Sequence, residues 1–384
     1  MATRVAVGFS DSFDTIEAFT EASRAARDGL GTPCDLCLVF AGAPHLGRAK
    51  WVLSIVHDEL EPAHLIGCGA GGVVGPGREL EEGPGAVVWA ASLPGASVAT
   101  HAFRVSSRED PSLEGLDADG LGETLIVLAD PYSFATELLL AAVNEARPGL
   151  PVLGGLASAA GAGSAALFRD GDVLPEGAVG CSISGTPVLP CVSQGATPVG
   201  PEMTITAAEG NVISELASAP ALERLRAAIG GLEPEEQQLA ADGLMLGIVI
   251  DENQPEYERG DFLVRPLIGA NPEAGSIAVA EQVRVGQTVR MHVRDGASAD
   301  EDLREALRTG VTALGSGKAA GALLFTCNGR GAHMFSVPDH DANAIGDALG
   351  APVGGFFCAG EIGPVGGRNF LHGFTATMAL FPSQ

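Results

Sequence analysis

The chain has 384 residues, of which 46% are apolar, and it carries a formal net charge of −26. This length predicts two domains that each bury a core, and no apolar run reaches the roughly 18–20 residues needed to span a bilayer. Binding to nucleic acid or to an anionic membrane needs basic stripes, so the charge argues against both as partners.

The N-terminal segment and the cysteines indicate where the protein works. The first residues, MATRVAVGFSDSFD, lack a basic leader and a long apolar core with a cleavage site, so we expect no secretory signal and a cytoplasmic location. The seven cysteines are odd in number and irregularly spaced, which argues against a secreted disulfide framework. We expect most of them to be buried thiols.

Three stretches of the chain repeat one pattern: an apolar strand, a helix, a glycine-rich strand and loop, and a final strand. The copies cover residues 37–93, 124–185 and 321–381, with helices predicted over 51–60, 134–146 and 341–349. The spacing is too long for a solenoid. The pattern predicts an α/β (mixed α+β) fold built from duplicated strand-helix-strand units, with glycine-rich loops at the strand ends.

A segment of another composition separates the second copy from the third. It contains a predicted helix around 221–229 and four strand-like runs, GLMLGIVID, DFLVRPLIGA, SIAVAEQV and QTVRMHVRD. Ser298 and Glu301 then predict a capping box that starts a helix through DLREALRTG. We place the domain boundary near residue 200, which gives domains over 1–200 and 201–384.

Motifs for nucleotides, hydrolysis and metals do not meet their structural requirements. GCGAGG matches GxGxxG through Gly67, Gly69 and Gly72, but the residues that follow contain too many glycines and prolines for the helix that a dinucleotide site needs. GSGK, ending at Lys318, lacks the rest of a P-loop, GCSISG is no nucleophile elbow, and the histidines show no metal spacing. We therefore expect no cofactor and no metal, and we assign no catalytic residue.

The densest group of polar residues lies near the C-terminal end of the sequence. Together with glycines of the earlier repeats, it gives the following candidate ligand-binding residues: Cys327, Arg330, Cys358, Glu361, Arg368, Asn369, Gly67, Gly69, Gly154 and Gly155. Loops at neighbouring strand ends can meet, and an arginine beside backbone amides suits a carboxylate ligand. Two alternatives stay open: Arg330 and Glu361 pair only to hold the loops together, or a cysteine and a histidine form a nucleophile with its base.

Several segments together resemble the FIST family over nearly the whole chain. They are HLIGCGAGGVVGPGRELEEGP, PVLGGLASAAGAG, GAVGCSISG, VSQGATPVGP, FLVRPLIGA, VRVGQTVRMHVRD, CNGRG and GGFFCAGEIGPVGGRNFLHGFTATMALF. The resemblance places a FIST N-terminal domain over about 33–200 and a FIST C-terminal domain over about 201–365. It implies a module that senses small ligands such as amino acids, and it brings no catalytic residues.

Because the chain shows no kinase motifs and no F-box-like segment, we expect a signal to pass through a separate partner protein. The sequence thus favours a small-ligand sensor. The alternatives are a cysteine-dependent enzyme that uses Cys327 or Cys358, and a protein-interaction scaffold.

Overall fold

The computed structural model describes residues 2–106, 112–159, 161, 165–315 and 317–383, apart from the side chain of Asp242. The chain divides into two compact units: Met1–Ser193 together with Arg304–Gln384, and Gln194–Leu303. In the described part of the chain, no helix has both the length and the apolar character needed to cross a membrane.

The first repeat begins after an added strand and helix. The added elements are β1 (Arg4–Ser10) and α1 (Thr15–Leu30). The repeat consists of β2 (Leu36–Gly42), α2 (Ala49–Leu60), β3 (His64–Ala70), β4 (Gly72–Gly75), β5 (Arg78–Leu80) and β6 (Ala86–Ser92), with a 3-10 helix over Ala43–Arg48. The Asp14 side chain accepts the amides of Ile16 and Glu17 and so fixes the start of α1. Every residue of β2 is buried, as a strand with neighbours on both sides and covered faces requires.

The second repeat follows the same order after a strand pair. The preceding pair is β7 (Ser97–Val105) and β8 (Leu113–Glu114). The repeat consists of β9 (Thr124–Ala129), α3 (Thr136–Ala146), β10 (Val152–Leu156), β11 (Leu167–Arg169), β12 (Asp172–Leu174) and β13 (Ala178–Ser184). Burial of β9 and β10 is complete along their length.

The segment of other composition forms the second compact unit. After β14 (Leu189–Ser193), its elements are β15 (Thr197–Glu209), β16 (Val212–Leu216), β17 (Ala219–Pro220), α4 (Ala221–Gly230), α5 (Pro234–Gly243), β18 (Met245–Val249), β19 (Phe262–Asn271), β20 (Ser276–Val279) and β21 (Thr288–Val293). Antiparallel pairings run β15-β21-β18-β19-β20-β16, and β16 pairs back to β15. The pairings therefore close into a barrel, which leaves these six strands without a free sheet edge.

The third repeat returns the chain to the first compact unit. The helix α6 (Gly296–Ala313) comes first, and the boundary between the two units falls within it, after Leu303. The repeat then consists of β22 (Lys318–Cys327), α7 (Ala332–Phe335), α8 (His340–Leu349), β23 (Val353–Cys358), β24 (Glu361–Val365), β25 (Arg368–His372) and β26 (Ala376–Ser383). The predicted start of α6 is wrong: Asp295 accepts the amide of Ser298, and Ser298 Oγ accepts the amide of Asp295. The cap is thus three residues earlier than the predicted Ser298.

The three repeats build three sheets of one design. In each, the first strand lies between the last strand, which is antiparallel, and the middle strand, which is parallel: β6-β2-β3, β13-β9-β10 and β26-β22-β23. The strand before each repeat, β1, β7 or β14, pairs antiparallel with the last strand. Equal orders and directions confirm the predicted duplication, but all three repeats lie in the first compact unit.

Each repeat gives its short hairpin to the sheet of another repeat. The hairpin β4-β5 joins β23 of the third sheet, β11-β12 joins β3 of the first, and β24-β25 joins β10 of the second. The exchange is cyclic. A shared apolar core then contains side chains from all three repeats, among them Phe40, Leu128 and Phe356.

A glycine stands at the same place in each middle strand because two backbones approach closely there. A Cβ on Gly67, Gly154 or Gly355 would overlap the carbonyl oxygen of its partner in the first strand, which is Val39, Val127 or Leu324. These glycines therefore meet a steric requirement inside strands.

Two further predictions concern the ends of elements. The strand β3 ends at Ala70 and β4 begins at Gly72, so the prediction that no helix follows GCGAGG is confirmed. Residue 200 lies inside β15. The division at 200 concerns two sequence domains and stays a prediction, whereas the compact units follow the boundaries given above.

Candidate functional site

Four of the polar residues predicted from the sequence, Cys327, Arg330, Cys358 and Glu361, gather at the carboxyl ends of β22 and β23. Two connections belong to this region: 328–339, which follows β22 and includes the short helix α7, and 373–375, which links β25 to β26. We call them the third-repeat loops. Three non-glycine residues in them have left-handed backbone conformations: Ser336 (φ 56°), Asp339 (φ 60°) and Phe374 (φ 63°). Such strained conformations concentrate at functional sites, and ligands bind at the carboxyl ends of parallel strands.

Arg330 forms a buried ion pair with Asp341, the second residue of α8. Arg330 Nε donates to Asp341 Oδ2 at 2.7 Å and Nη2 donates to Oδ1 at 2.9 Å, while the exposed fractions of the two side chains are 0% and 2%. Thr326 Oγ1 donates to the same carboxylate at 2.9 Å. Burial alone would raise the pKa of Asp341, but the charge and hydrogen bonds of Arg330 hold it well below its ordinary value.

An aromatic residue covers this ion pair. The guanidinium of Arg330 lies over the ring of Phe335, 5.0 Å from its centroid, and the imidazole of His340 stacks on that ring. His340 Nδ1 is 3.0 Å from Asp341 Oδ1. The ion pair thus fixes the loop after β22 to the start of α8.

Cys327 and Glu361 form a second polar pair beside it. Cys327 ends β22 and is partly exposed, whereas Glu361 begins β24 and is fully buried. Glu361 Oε2 accepts the amide of Thr375 at 3.0 Å. Burial, and then the charge of Glu361, raises the pKa of the Cys327 thiol to about 11, although the amides of Gly329 and Phe374 act in the opposite direction.

The repeats show what is unusual about this pair. A residue at the end of the first strand, or directly after it in the second repeat, donates an equivalent backbone hydrogen bond in each repeat: Gly42 to Gly85, Asp130 to Gly177, and Cys327 to Thr375, at 2.7, 2.9 and 3.1 Å. In the three sheets, Gly154, Gly67 and Gly355 pair with Ile362, Phe168 and Val74 of the exchanged hairpins. Glu361, Leu167 and Val73 each precede one of these partners by one residue and are therefore equivalent. The side chains of Leu167 and Val73 are fully buried and apolar, so a carboxylate there departs from the packing scheme.

Cys358 completes the set on the neighbouring strand. It is the register partner of Cys327 and lies against Gly155, where a Cβ would overlap its sulfur. Burial, and then the charge of Glu361, raises the pKa of the Cys358 thiol well above its ordinary value. The structure thus brings together Cys327, Cys358, Glu361 and Gly155.

Another predicted residue, Asn369, makes hydrogen bonds that hold a hairpin in place. Asn369 is buried: its Oδ1 accepts the amide of Val152 at 2.8 Å and its carbonyl accepts Asn144 Nδ2 at 3.0 Å. Asp170 makes the matching bonds in the first sheet, where its Oδ1 accepts the amide of Leu65 and its carbonyl accepts His57 Nε2. Both residues anchor an exchanged hairpin.

Arg368 and three glycines are the remaining residues predicted from the sequence to bind a ligand. The Arg368 guanidinium lies 6.0 Å from the ring centroid of Phe370, and the residue is exposed. The amide of Gly69 donates to the carbonyl of Ala165 at 2.6 Å, while Gly67 and Gly154 meet the steric requirement described above. A ligand role for these residues stays a prediction.

Sequence reasoning missed Asp341, Thr326 and Glu79. Glu79, on β5 of the first repeat, reaches the start of α8, where its Oε1 accepts the amide of Ala342 at 2.8 Å. Its Oε2 is buried without a hydrogen-bond partner among the residues that the structure describes. Burial, and then the charge of Asp341, raises the pKa of Glu79 to about 7.

Replacing Glu79 by glutamine should remove part of the pH dependence of stability. The folded-state pKa of about 7 exceeds the ordinary value of 4.5, so the native state binds more protons and the free energy of unfolding falls as pH rises from 4.5 through 7. The full loss, up to about 3 kcal/mol, applies above pH 7. Urea unfolding from pH 5 to 8 should show a smaller decline for Glu79→Gln.

Glu137→Gln is the matched control, because Glu137 is exposed and makes no hydrogen bond or ion pair with any described residue. That variant should follow the unmodified protein at every pH. Equal pH slopes for Glu79→Gln and the unmodified protein would contradict the assigned environment of Glu79.

Comparison with known proteins gives matches along most of the chain. The model of the FIST N domain matches residues 35–218 and that of the FIST C domain matches 221–364. The chain is 45% identical over 383 residues to Uncharacterized protein Rv0628c of Mycobacterium tuberculosis, covering 98% of this chain and 99% of that protein. It is 44% identical over 385 residues to Uncharacterized protein Mb0898c of Mycobacterium bovis, covering 98% of each.

Proposed function

Since this chain belongs to the FIST family and carries both of its domains, we propose that it senses a small ligand at the third-repeat loops. FIST domains are sensory, ligand-binding domains of signal transduction. The proposed ligands are amino acids or related carboxylates, and the signal passes to a separate partner protein in the cytoplasm.

The buried carboxylate of Glu361 is the observation on which the proposed location of the site rests. The molecule places apolar side chains at the two equivalent positions, so the fold itself does not need a charge there. The position of Glu361 at strand ends, beside a partly exposed thiol and strained loops, supports a role in binding a polar ligand.

The groups around Glu361 support recognition of both ends of an amino acid. Glu361 suits an ammonium group. The amides of Gly329 and Phe374 donate to the Cys327 sulfur, so they bind an anion only where it displaces that contact. Arg330 is engaged by Asp341. In this proposal Arg330 orders the loop, and the ligand contacts come from Glu361 and the backbone.

Thermal unfolding in the presence of amino acids and small carboxylates tests the proposal. A ligand at about 100 times its Kd stabilises the folded state by about 2.7 kcal/mol. The Glu361→Leu variant copies Leu167 of the second repeat, so it should fold and should lose this stabilisation. The Cys327→Ser variant should bind with nearly unchanged affinity.

Arg308→Gln is the matched control. Arg308 is exposed, and its side chain makes no hydrogen bond or ion pair with a described residue. That variant should keep the full response. A ligand that stabilises Glu361→Leu as strongly as the unmodified protein would place the site elsewhere, and the absence of any response would favour the interaction scaffold.

A cysteine-dependent enzyme is the second candidate, and the Cys327–Glu361 pair is the observation that favours it. A carboxylate beside a thiol can accept its proton. A pKa of about 11 nevertheless leaves the thiol protonated at neutral pH. Alkylation by iodoacetamide at pH 7 should therefore be slow, whereas fast alkylation at Cys327 with a turnover that Cys327→Ser abolishes would establish the enzyme.

A further inference from the structure

A cavity of about 420 Å³ lies in the first compact unit, away from the carboxyl ends of β22 and β23. Strands β7 and β8 form one wall and the exchanged hairpin β11-β12 forms the other. Its volume lies within the range of small-molecule sites, which is roughly 300–1,000 Å³. The cavity is independent of the site proposed above.

The alternation of side chains along the strands sets the lining. Leu167 pairs with Leu174 and Arg169 with Asp172 in the hairpin, so all four side chains point to one face. The leucines pack against the shared core, and the charged pair lies one step further out. On the opposite wall, Ala102 and Arg104 share a face in the same way.

The floor is apolar and closely packed. Ala102 and Leu174 line it. Gly115, at φ 87°, closes one end, and a Cβ there would overlap the carbonyl oxygen of Ala102. The close approach of Gly115 thus holds β8 and its Glu114 beside Arg104.

Two arginines line this cavity, and neither guanidinium makes a hydrogen bond with a residue that the structure describes. Arg104 is exposed, and its guanidinium has no hydrogen bond or ion pair with any residue that the structure describes. Arg169 has one ion-pair contact, Nη2 to Asp172 Oδ2 at 3.9 Å.

A planar guanidinium matches the geometry of an oxyanion. We propose that the cavity is a second ligand site, in which Arg104 and Arg169 hold the oxyanion of a small organic acid or phosphate ester. Glu114 and Asp172 also line it, so the ligand carries a donor group, such as a hydroxyl or ammonium, beside its anion.

The surrounding charge explains why both arginines are needed. The protein carries a net charge of −26, which repels anions at long range. The two guanidiniums offset the carboxylates of Glu114 and Asp172 that line the same cavity, and exposed charges are screened by salt. Binding should weaken as ionic strength rises.

Nuclear magnetic resonance of the full chain labelled with ¹⁵N-arginine tests the proposal, with inorganic phosphate and succinate as separate probes. We expect the Nε–H signals of Arg104 and Arg169 to shift saturably. Arg104→Gln should weaken the binding at least tenfold, as loss of one charge-assisted hydrogen bond implies. Because the Arg104 guanidinium has no hydrogen bond or ion pair with a described residue to lose, this variant should keep the unfolding midpoint of the unmodified protein.

Arg308→Gln removes the same charge from α6 and should leave the affinity unchanged. A response to succinate alone identifies a carboxylate ligand, a response to phosphate alone identifies a phosphate ester, and a response to both identifies a general oxyanion site. The absence of a saturable shift with both probes, or equal affinity in Arg104→Gln, would overturn the proposal. Neither result bears on Glu361→Leu, which tests the other site.

Discussion

Replacing Arg330 by methionine is expected to lower the free energy of unfolding by about 3–5 kcal/mol, because it leaves the buried Asp341 carboxylate without its cation. The carboxylate would keep Thr326 Oγ1 as a donor at 2.9 Å, but it would lose both guanidinium bonds. Urea unfolding at pH 8 measures the loss. A loss under about 1 kcal/mol would show that the pair contributes no more than an exposed one does.

The paired variant Arg330→Met with Asp341→Leu is the control. Replacing a buried ion pair by apolar residues is often nearly neutral, so the double variant should recover more than half of the loss. Burial without the arginine raises the pKa of Asp341, and the deficit of the single variant should therefore shrink as pH falls. Because Arg330→Met weakens the fold, Glu361→Leu is the sharper test of ligand binding.

Replacing Gly355 by alanine should destabilise the protein by about 3 kcal/mol or more, at the upper end of the range for overpacking. The added Cβ would overlap the carbonyl oxygen of Leu324 and lie 2.7 Å from its carbonyl carbon. Both atoms belong to the backbone of the parallel neighbour, so no rotamer change relieves the overlap. Denaturant unfolding of the variant measures the effect.

Gly346→Ala is the matched control. Gly346 lies inside α8, and a Cβ there meets no heavy atom within 4 Å. Alanine in a helix interior is favoured over glycine by up to about 1 kcal/mol, so this variant should be slightly more stable. Equal losses in the two variants would show that the effect at Gly355 reflects the sequence change and not the strand contact.

The three repeats could be predicted because their signal is local. An apolar run, a helix with alternating exposure and a glycine-rich strand follow one another in each copy, and each forms where the pattern indicates. The partner of each hairpin could not be predicted. The turn at Gly77 indicates that β4 pairs with β5, but nothing in the local sequence selects β23 as the next neighbour over β3.

The residues of the candidate site could be predicted where the signal is local, and they could not be predicted where they depend on contacts between repeats. Cys327, Cys358 and Glu361 end or begin neighbouring strands, and the structure brings them together. Asp341 was passed over because a carboxylate at a helix start is ordinarily exposed. Glu79 comes from another repeat, so only the tertiary pairing shows that it reaches α8.

The cyclic exchange of hairpins also constrains how the protein is made. A chain emerging from the ribosome can complete the first sheet once β12 has appeared, since β11-β12 joins β3. The hairpin β4-β5 has no sheet to join until β23 is synthesised, and the second sheet waits for β24-β25. Long-range pairings of this kind fold slowly and expose strand edges meanwhile. A nascent chain that has been synthesised only as far as the barrel therefore contains an unpaired hairpin and an incomplete second sheet. Until the third repeat is synthesised and pairs with both, the chain is most exposed to aggregation and most dependent on chaperones.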